Sequence, residues 1–153
     1  MTSAAIYTTD FASLRDSDTV AAATRRMLED RVSDLPVTDG AGMLVGMFRL
    51  ARLFEVLLPR AAQLDYGMPD LSFMGDTVDQ LKRRMREIED QPVRNFMVAP
   101  EHVVHPDTTP LEAVLLLYKG ANAVPVVAPA SGKLVGMVTA REVLVALQPR
   151  GSR

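Results

Sequence analysis

Thr139 directly follows the apolar run LVGMV, and Glu142 stands three residues on, near the start of the amphipathic stretch AREVLVAL. That position is the expected start of a helix. A helix start presents unpaired N–H groups and the positive end of the helix dipole, which together suit a phosphate. A carboxylate beside it accepts two hydroxyl donors well. The same spacing is also that of a capping box, in which both side chains serve the helix itself and contribute about 1 kcal/mol with no ligand. Residue type alone is compatible with both uses.

Ninety residues earlier, Arg49 and Arg52 hold the same two places after LVGMF. An arginine cannot accept hydrogen bonds from hydroxyls. Two cations at a helix start also oppose its dipole, by a few tenths to about 1 kcal/mol each. They are expected either to lie in water or pair with acids, or to clamp a polyphosphate as bidentate forks. Other chemistry is thinly represented. The chain has no cysteine, which removes disulfides, thiolate catalysis and Cys-ligated zinc. His102 and His105 fall three apart on a predicted strand, so they point to opposite faces and do not share a metal. The phosphate-loop, dinucleotide-binding and nucleophile-elbow motifs are absent from the sequence. No catalytic residue and no metal ligand is assigned, and an enzyme is not expected.

The elements that must position these residues are written twice. An offset of 90 aligns Leu14–Leu28 with Val104–Tyr118, becomes 89 at LPVTD against VPVVA, and returns to 90 at the two LVGM runs. The slip falls in loops, where insertions are tolerated. Each copy predicts a short strand, a helix, a buried strand, a glycine-containing turn, a second strand and a closing helix. In the second copy Thr109, Pro110 and Glu112 form a clear helix start. One β-α-β-β-α unit of about 50 residues has too little core to stand comfortably alone. Two units laid sheet to sheet, sharing one core about a pseudo-twofold axis, are therefore expected. The fold class is α/β, with repeats at 5–58 and 93–148. The segment 59–92 between them reads as loop around Gly67-Met68-Pro69, then an amphipathic helix at about 76–90. In that helix Val78, Leu81, Met85 and Ile88 form one apolar stripe, and Thr77 with Gln80 could cap it. Its basic cluster, Lys82, Arg83, Arg84 and Arg86, reads as a solvated face beside Glu87, Glu89 and Asp90.

Bulk properties fit a globular chain: 153 residues, 48% hydrophobic, 24% charged, with a net charge of −2. That charge argues against a general nucleic-acid or anionic-membrane binder. No apolar run reaches about 18 residues and the N-terminus does not read as a secretory signal, so a cytoplasmic protein is the expectation.

The doubled set of VPVV or LPVT, a glycine turn, LVGM, then T-x-x-acid opening a helix resembles the CBS domain pair, or Bateman module. The resemblance implies a tandem-repeat α/β fold, frequent homodimerisation, and clefts between the copies that hold AMP, ADP, ATP or S-adenosylmethionine. It implies a regulatory or sensor part acting on another protein, the alternative being a ligand-free dimerisation or interaction scaffold. It places Thr139 at phosphate or ribose and Glu142, in place of the usual aspartate, at ribose hydroxyls. It places Val32, Ser33 and Asp34, with Thr8 and Ser13 or Leu14, at the adenine wall, against plain core packing of Val32 and Leu14. The second cleft would pair Arg49 and Arg52 with a wall of Val103, Ala121 and Ala123, and is expected to be weak or empty.

Overall fold

The computed structural model describes residues 6–58 and 78–149. Repeat 1 consists of β1 (Leu14–Arg15), α1 (Val20–Asp30), β2 (Asp34–Thr38), β3 (Leu44–Arg49) and α2 (Leu50–Leu57). The hydroxyl of Thr19 accepts the Ala22 N–H at 3.1 Å and starts α1. Val20, Ala23 and Met27, spaced three and four apart, form its buried stripe. β2 and β3 pair antiparallel, with Leu35 opposite Phe48. Their turn is held by Asp39, whose Oδ1 accepts from the N–H groups of Ala41 and Met43 at 2.8 and 3.0 Å. Gly42 completes it at φ +85°, a conformation that disfavours any side chain.

Next comes α3 (Val78–Ile88), then a 3-10 turn at Val93–Asn95. Thr77 and the Gly67-Met68-Pro69 loop lie outside the described residues. The apolar stripe of α3 docks on its own chain: Met85 and Ile88 pack against the first core. Arg84 leaves the basic cluster to donate from Nη1 to the Leu57 carbonyl at 3.0 Å. The chain after α3 then caps α1, since the Glu89 and Gln91 carbonyls accept from Ala21 and Val20.

Repeat 2 consists of α4 (Pro110–Tyr118), β4 (Ala123–Val127), β5 (Leu134–Thr139) and α5 (Ala140–Leu147). The expected opening strand of this repeat is reduced to a single Val104–Val126 bridge. Pro100 and Pro106 bracket it. His102 and His105 are therefore not on a strand. The Nδ1 of His105 instead lies 2.8 Å from the Val127 carbonyl, a donation from ring to backbone.

The two halves are tied by reciprocal bonds. Thr8 and Met137 exchange N–H···O bonds at 3.0 Å each, and Met47 and Val98 exchange them at 2.8 and 2.9 Å. These pairs are 90 residues apart in both members, the mark of an approximate dyad. The hairpin turns meet in the same way: Leu44 N–H donates to Gly132 and Leu134 N–H to Gly42, at 3.2 and 3.1 Å. Each hairpin is thus covered on its outer edge by the segment that precedes the other repeat. A correction to the shared core follows. There are two buried clusters, one per repeat, each completed by residues from the crossing segment. Val93 and Phe96 join Val20, Leu35 and Phe48 of repeat 1. Ile6 joins Val124, Val126 and Val138 of repeat 2.

The glycine of each LVGM run lies under that crossing. A Cβ on Gly136 would meet the Tyr7 ring and come within 2.9 Å of the Thr8 carbonyl, whereas on Gly46 it would meet chiefly the flexible Met97 side chain, at 2.7 Å from its sulfur. Gly136→Ala is expected to cost about 1–3 kcal/mol in denaturant unfolding by overpacking. Gly46→Ala should cost less, because Met97 can move. Equal losses would contradict this account of the crossing.

Candidate functional site

β5 ends at Thr139 beside the start of β4, since Thr139 pairs with Ala123. The start of α5 therefore opens towards repeat 1. A cavity of about 650 Å³ lies there, within the range of about 300–1,000 Å³ common for small-molecule sites. Repeat 1 supplies Thr8, Asp10, Phe11 and Ala12 before β1, Arg26, Asp30 and Arg31 at the end of α1, and Val32–Pro36 leading into β2. Repeat 2 supplies Asn122, Ala123, Met137 and the run Thr139–Glu142.

Of the residues singled out from sequence, Thr139, Glu142, Val32, Ser33, Asp34 and Thr8 all line this one cavity. Leu14 does not: it is 3% exposed and packs with Val37 and Phe48 in the first core. Val32 is 38% exposed and so is not a core residue. Ala123, expected in the second cleft, lines this cavity instead, because its strand pairing sets it against Thr139. Ala121 packs against the second core, and Val103 is exposed.

The capping-box use of Thr139 is not realised. Thr139 is the N-cap of α5 but makes no side-chain capping bond, while Thr109 at the start of α4 does cap, accepting from Glu112 at 3.3 Å. The Thr139 hydroxyl is thus not spent on its own helix. Arg49, its counterpart, pairs with Glu101 at 3.3 Å, and Arg52 pairs with Glu55 at 3.0 Å. The arginines take the acid-pairing alternative. Glu101 is the counterpart of Phe11 under the 90-residue offset, so an ion pair stands at the places that Thr139 and Phe11 hold in the lining of the first cavity.

Asp34 of repeat 1 and Asn122 of repeat 2 line the cavity together. Burial pushes the Asp34 carboxyl above the usual aspartate range, and the charge of Arg49 and the polar Asn122 amide pull it back only partly. Arg26 is tied to Asp30 at 2.8 Å. Arg31 holds φ +56° at the C-cap of α1, where its counterpart in repeat 2 is Gly120 at φ +112°. Phe11, Arg26, Arg31, Asn122 and Arg141 were not singled out from sequence. The signals present were the Arg31–Gly120 mismatch within the repeat and the aromatic Phe11 at the place where the other copy has the acidic Glu101. Among the described residues, no group of three or more His, Cys, Asp or Glu side chains is arranged to hold a metal ion. No helix among them is long and apolar enough to cross a membrane.

Two repeats, each a hairpin between two helices and each bordered across a dyad by the leading segment of the other, with a crevice at the seam, define the class of tandem-repeat α/β modules. The chain belongs to the CBS domain family, whose CBS domain pattern matches it twice, over residues 4–59 and 93–149. No curated protein sequence is significantly similar to it. Solved structures share the fold. CBSX2 from Arabidopsis thaliana superposes with a TM-score of 0.72 at 24% identity, covering 95% of this chain and 92% of that one. CBSX2 in complex with AMP gives 0.68 at 24% identity, covering 95% and 94%. MJ1004 from Methanocaldococcus jannaschii gives 0.70 at 20% identity, and there this chain, 96% covered, spans only 59% of the other.

Two expected outcomes follow from Arg31 and Asp34. Left-handed backbone costs a side-chain-bearing residue about 1–2 kcal/mol, partly offset by the entropy that glycine loses on folding. Arg31→Gly should therefore be neutral or stabilising by up to about 1 kcal/mol in thermal unfolding, and a clear loss would show that Arg31 makes compensating contacts. Asp34 binds its proton more readily in the folded chain than in the unfolded one. Its contribution to stability thus grows as pH falls through the raised pKa towards the ordinary aspartate value, and the ionised carboxylate is a cost at neutral pH. Asp34→Asn should be at least as stable as the parent at pH 7 and show a flatter acid-side dependence. Denaturant midpoints measured across pH check both points.

Proposed function

We propose that the chain is a small sensor module that binds an adenosyl ligand, AMP, ADP, ATP or S-adenosylmethionine, in the cavity between its repeats. The observation that carries this reading is the uncapped Thr139 hydroxyl at the mouth of α5, with Glu142 one turn on, inside a cavity of nucleotide size. In this reading Thr139 and the α5 N-terminus take phosphate or ribose, and Glu142 accepts from ribose hydroxyls. Phe11 and Val32 flank the base, while Ser33 and Asp34 read its edge. Arg31 and Arg141, which line the cavity with no partner carboxylate at salt-bridge distance among the described residues, favour a ligand that carries phosphate. CBS domain membership and the AMP complex of CBSX2 support the ligand class.

The module acts by binding and not by catalysis. Two copies assemble, and the ligand alters how they meet a regulated protein, which requires different affinities for two conformations. A second reading, an interaction scaffold with no ligand, is favoured by the exposed apolar helix faces of repeat 2.

Thermal unfolding with excess AMP, ADP, ATP or S-adenosylmethionine separates the two. A ligand at 100 times its Kd adds about 2.7 kcal/mol, a rise of several degrees. No rise with any of the four would leave the scaffold. Thr139→Ala removes no capping bond, so it should leave the unliganded melting temperature nearly unchanged while weakening the nucleotide-induced rise. A variant that still responds fully would take Thr139 out of the site.

A further inference from the structure

Three polar side chains line the cavity where β2 begins and repeat 2 approaches it: Ser33, Asp34 and Asn122. The apolar Val32 precedes them on the same wall. A hydroxyl and a side-chain amide each offer both a donor and an acceptor, so Ser33 and Asn122 suit either purine. Asp34 is different in kind. An ionised carboxylate only accepts, whereas a protonated one donates from one oxygen and accepts at the other. The backbone beside it is already engaged, since the Ser33 carbonyl accepts from the Leu50 N–H at 2.9 Å.

The two purines present opposite patterns to such a group. Adenine has a donor at its 6-amino group beside a bare acceptor, ring nitrogen 1. Guanine has two donors side by side, ring nitrogen 1 and the 2-amino group. A carboxylate accepts from both guanine donors as a fork, one oxygen to each. Against adenine it gains the amino group but sets its second oxygen against a lone pair. Protonation relieves that conflict, because the acid O–H donates to ring nitrogen 1 while the carbonyl accepts from the amino group.

The surroundings pull the carboxyl both ways. Arg49 lies opposite it in the β2–β3 register, and its charge favours the ionised form, as does the Asn122 amide. Burial is the larger influence and favours the neutral form. The remaining charges of the lining add no clear bias. Arg26 is tied to Asp30 at 2.8 Å, and the cations Arg31 and Arg141 are matched in number by Asp10 and Glu142.

We propose that Asp34 selects the base: ionised, its carboxylate holds the cavity for guanine, and protonated, it admits adenine. This rests on the preceding reading, which sets the base edge at Ser33 and Asp34, and it adds to that reading a choice of nucleotide governed by pH.

Isothermal titration calorimetry of the full chain with AMP and with GMP, between about pH 5.5 and 8, gives the ratio of the two affinities. The phosphate titrates alike in both ligands and drops out of that ratio. The ratio should move towards AMP by about tenfold for each unit that pH falls, levelling off once Asp34 is protonated in the free chain. Asp34→Asn, whose amide offers donor and acceptor at every pH, should give a flat ratio. A parent that binds AMP with a ratio independent of pH would overturn the inference and leave the nucleotide reading standing. A slope that survives Asp34→Asn would overturn it equally. No binding of either nucleotide at any pH would overturn the reading and this inference together.

Discussion

The structure depends on a crossing of strands. The segment at Thr8 pairs with Met137 of repeat 2, and the segment at Val98 pairs with Met47 of repeat 1, each by two backbone bonds. Four hydrogen bonds are a modest sum, about 0.5–1.5 kcal/mol each in net terms. Their placement matters more than their strength. They satisfy the outer edge of each hairpin, carry Ile6 into one core and Val93 and Phe96 into the other, and fix the dyad. A side chain is excluded most strictly at Gly136, under the Tyr7 ring and the Thr8 carbonyl, and less strictly at Gly46, under the movable Met97 and the Val98 carbonyl. The LVGM run that marks the repeat in the sequence is a record of that close approach.

A dyad in the backbone does not give two equal crevices. On one side the pair Thr139 and Glu142 faces Phe11, Val32 and Asp34 across an open cavity. At the equivalent places on the other side, Arg49 is held by Glu101. The ion pair is partly exposed and adds little to stability, and its consequence is spatial. A guanidinium and a carboxylate occupy ground that the first side leaves to a hydroxyl and a ring. Asp34 lies opposite Arg49 in the β2–β3 register and lines the first cavity with Asn122. The Arg49 charge opposes the rise in its pKa that burial causes.

The repeat and most of the order of its elements were legible in the sequence, because hydrophobic periodicity and the 90-residue offset constrain one another, while the cavity was legible only in part. Six of the residues chosen for the first site meet in one cavity, although they come from both ends of the chain. Leu14 was misplaced because an apolar residue at a strand start serves core or cavity according to a side-chain direction that only the β1–β2 pairing fixes. Ala123 was assigned to the wrong crevice for a related reason: its neighbour across the hairpin, Thr139, decides its side. The crossing of the segments was not legible, since nothing in a residue's type says which hairpin it will border. Nor was the idle Thr139 hydroxyl, because a T-x-x-E spacing looks the same whether or not the cap forms.

The crossing also orders events in time. The segment bearing Ile6 and Thr8 is synthesised before either hairpin, and its berth on β5 does not exist until Thr139 has been made. On the ribosome, at about 5–20 residues per second, that segment must wait while some 130 further residues emerge. Repeat 1 can close as soon as Val98 is available, whereas repeat 2 is finished by residues made before β1. A nascent chain halted before β5 would carry Ile6 with no core to enter.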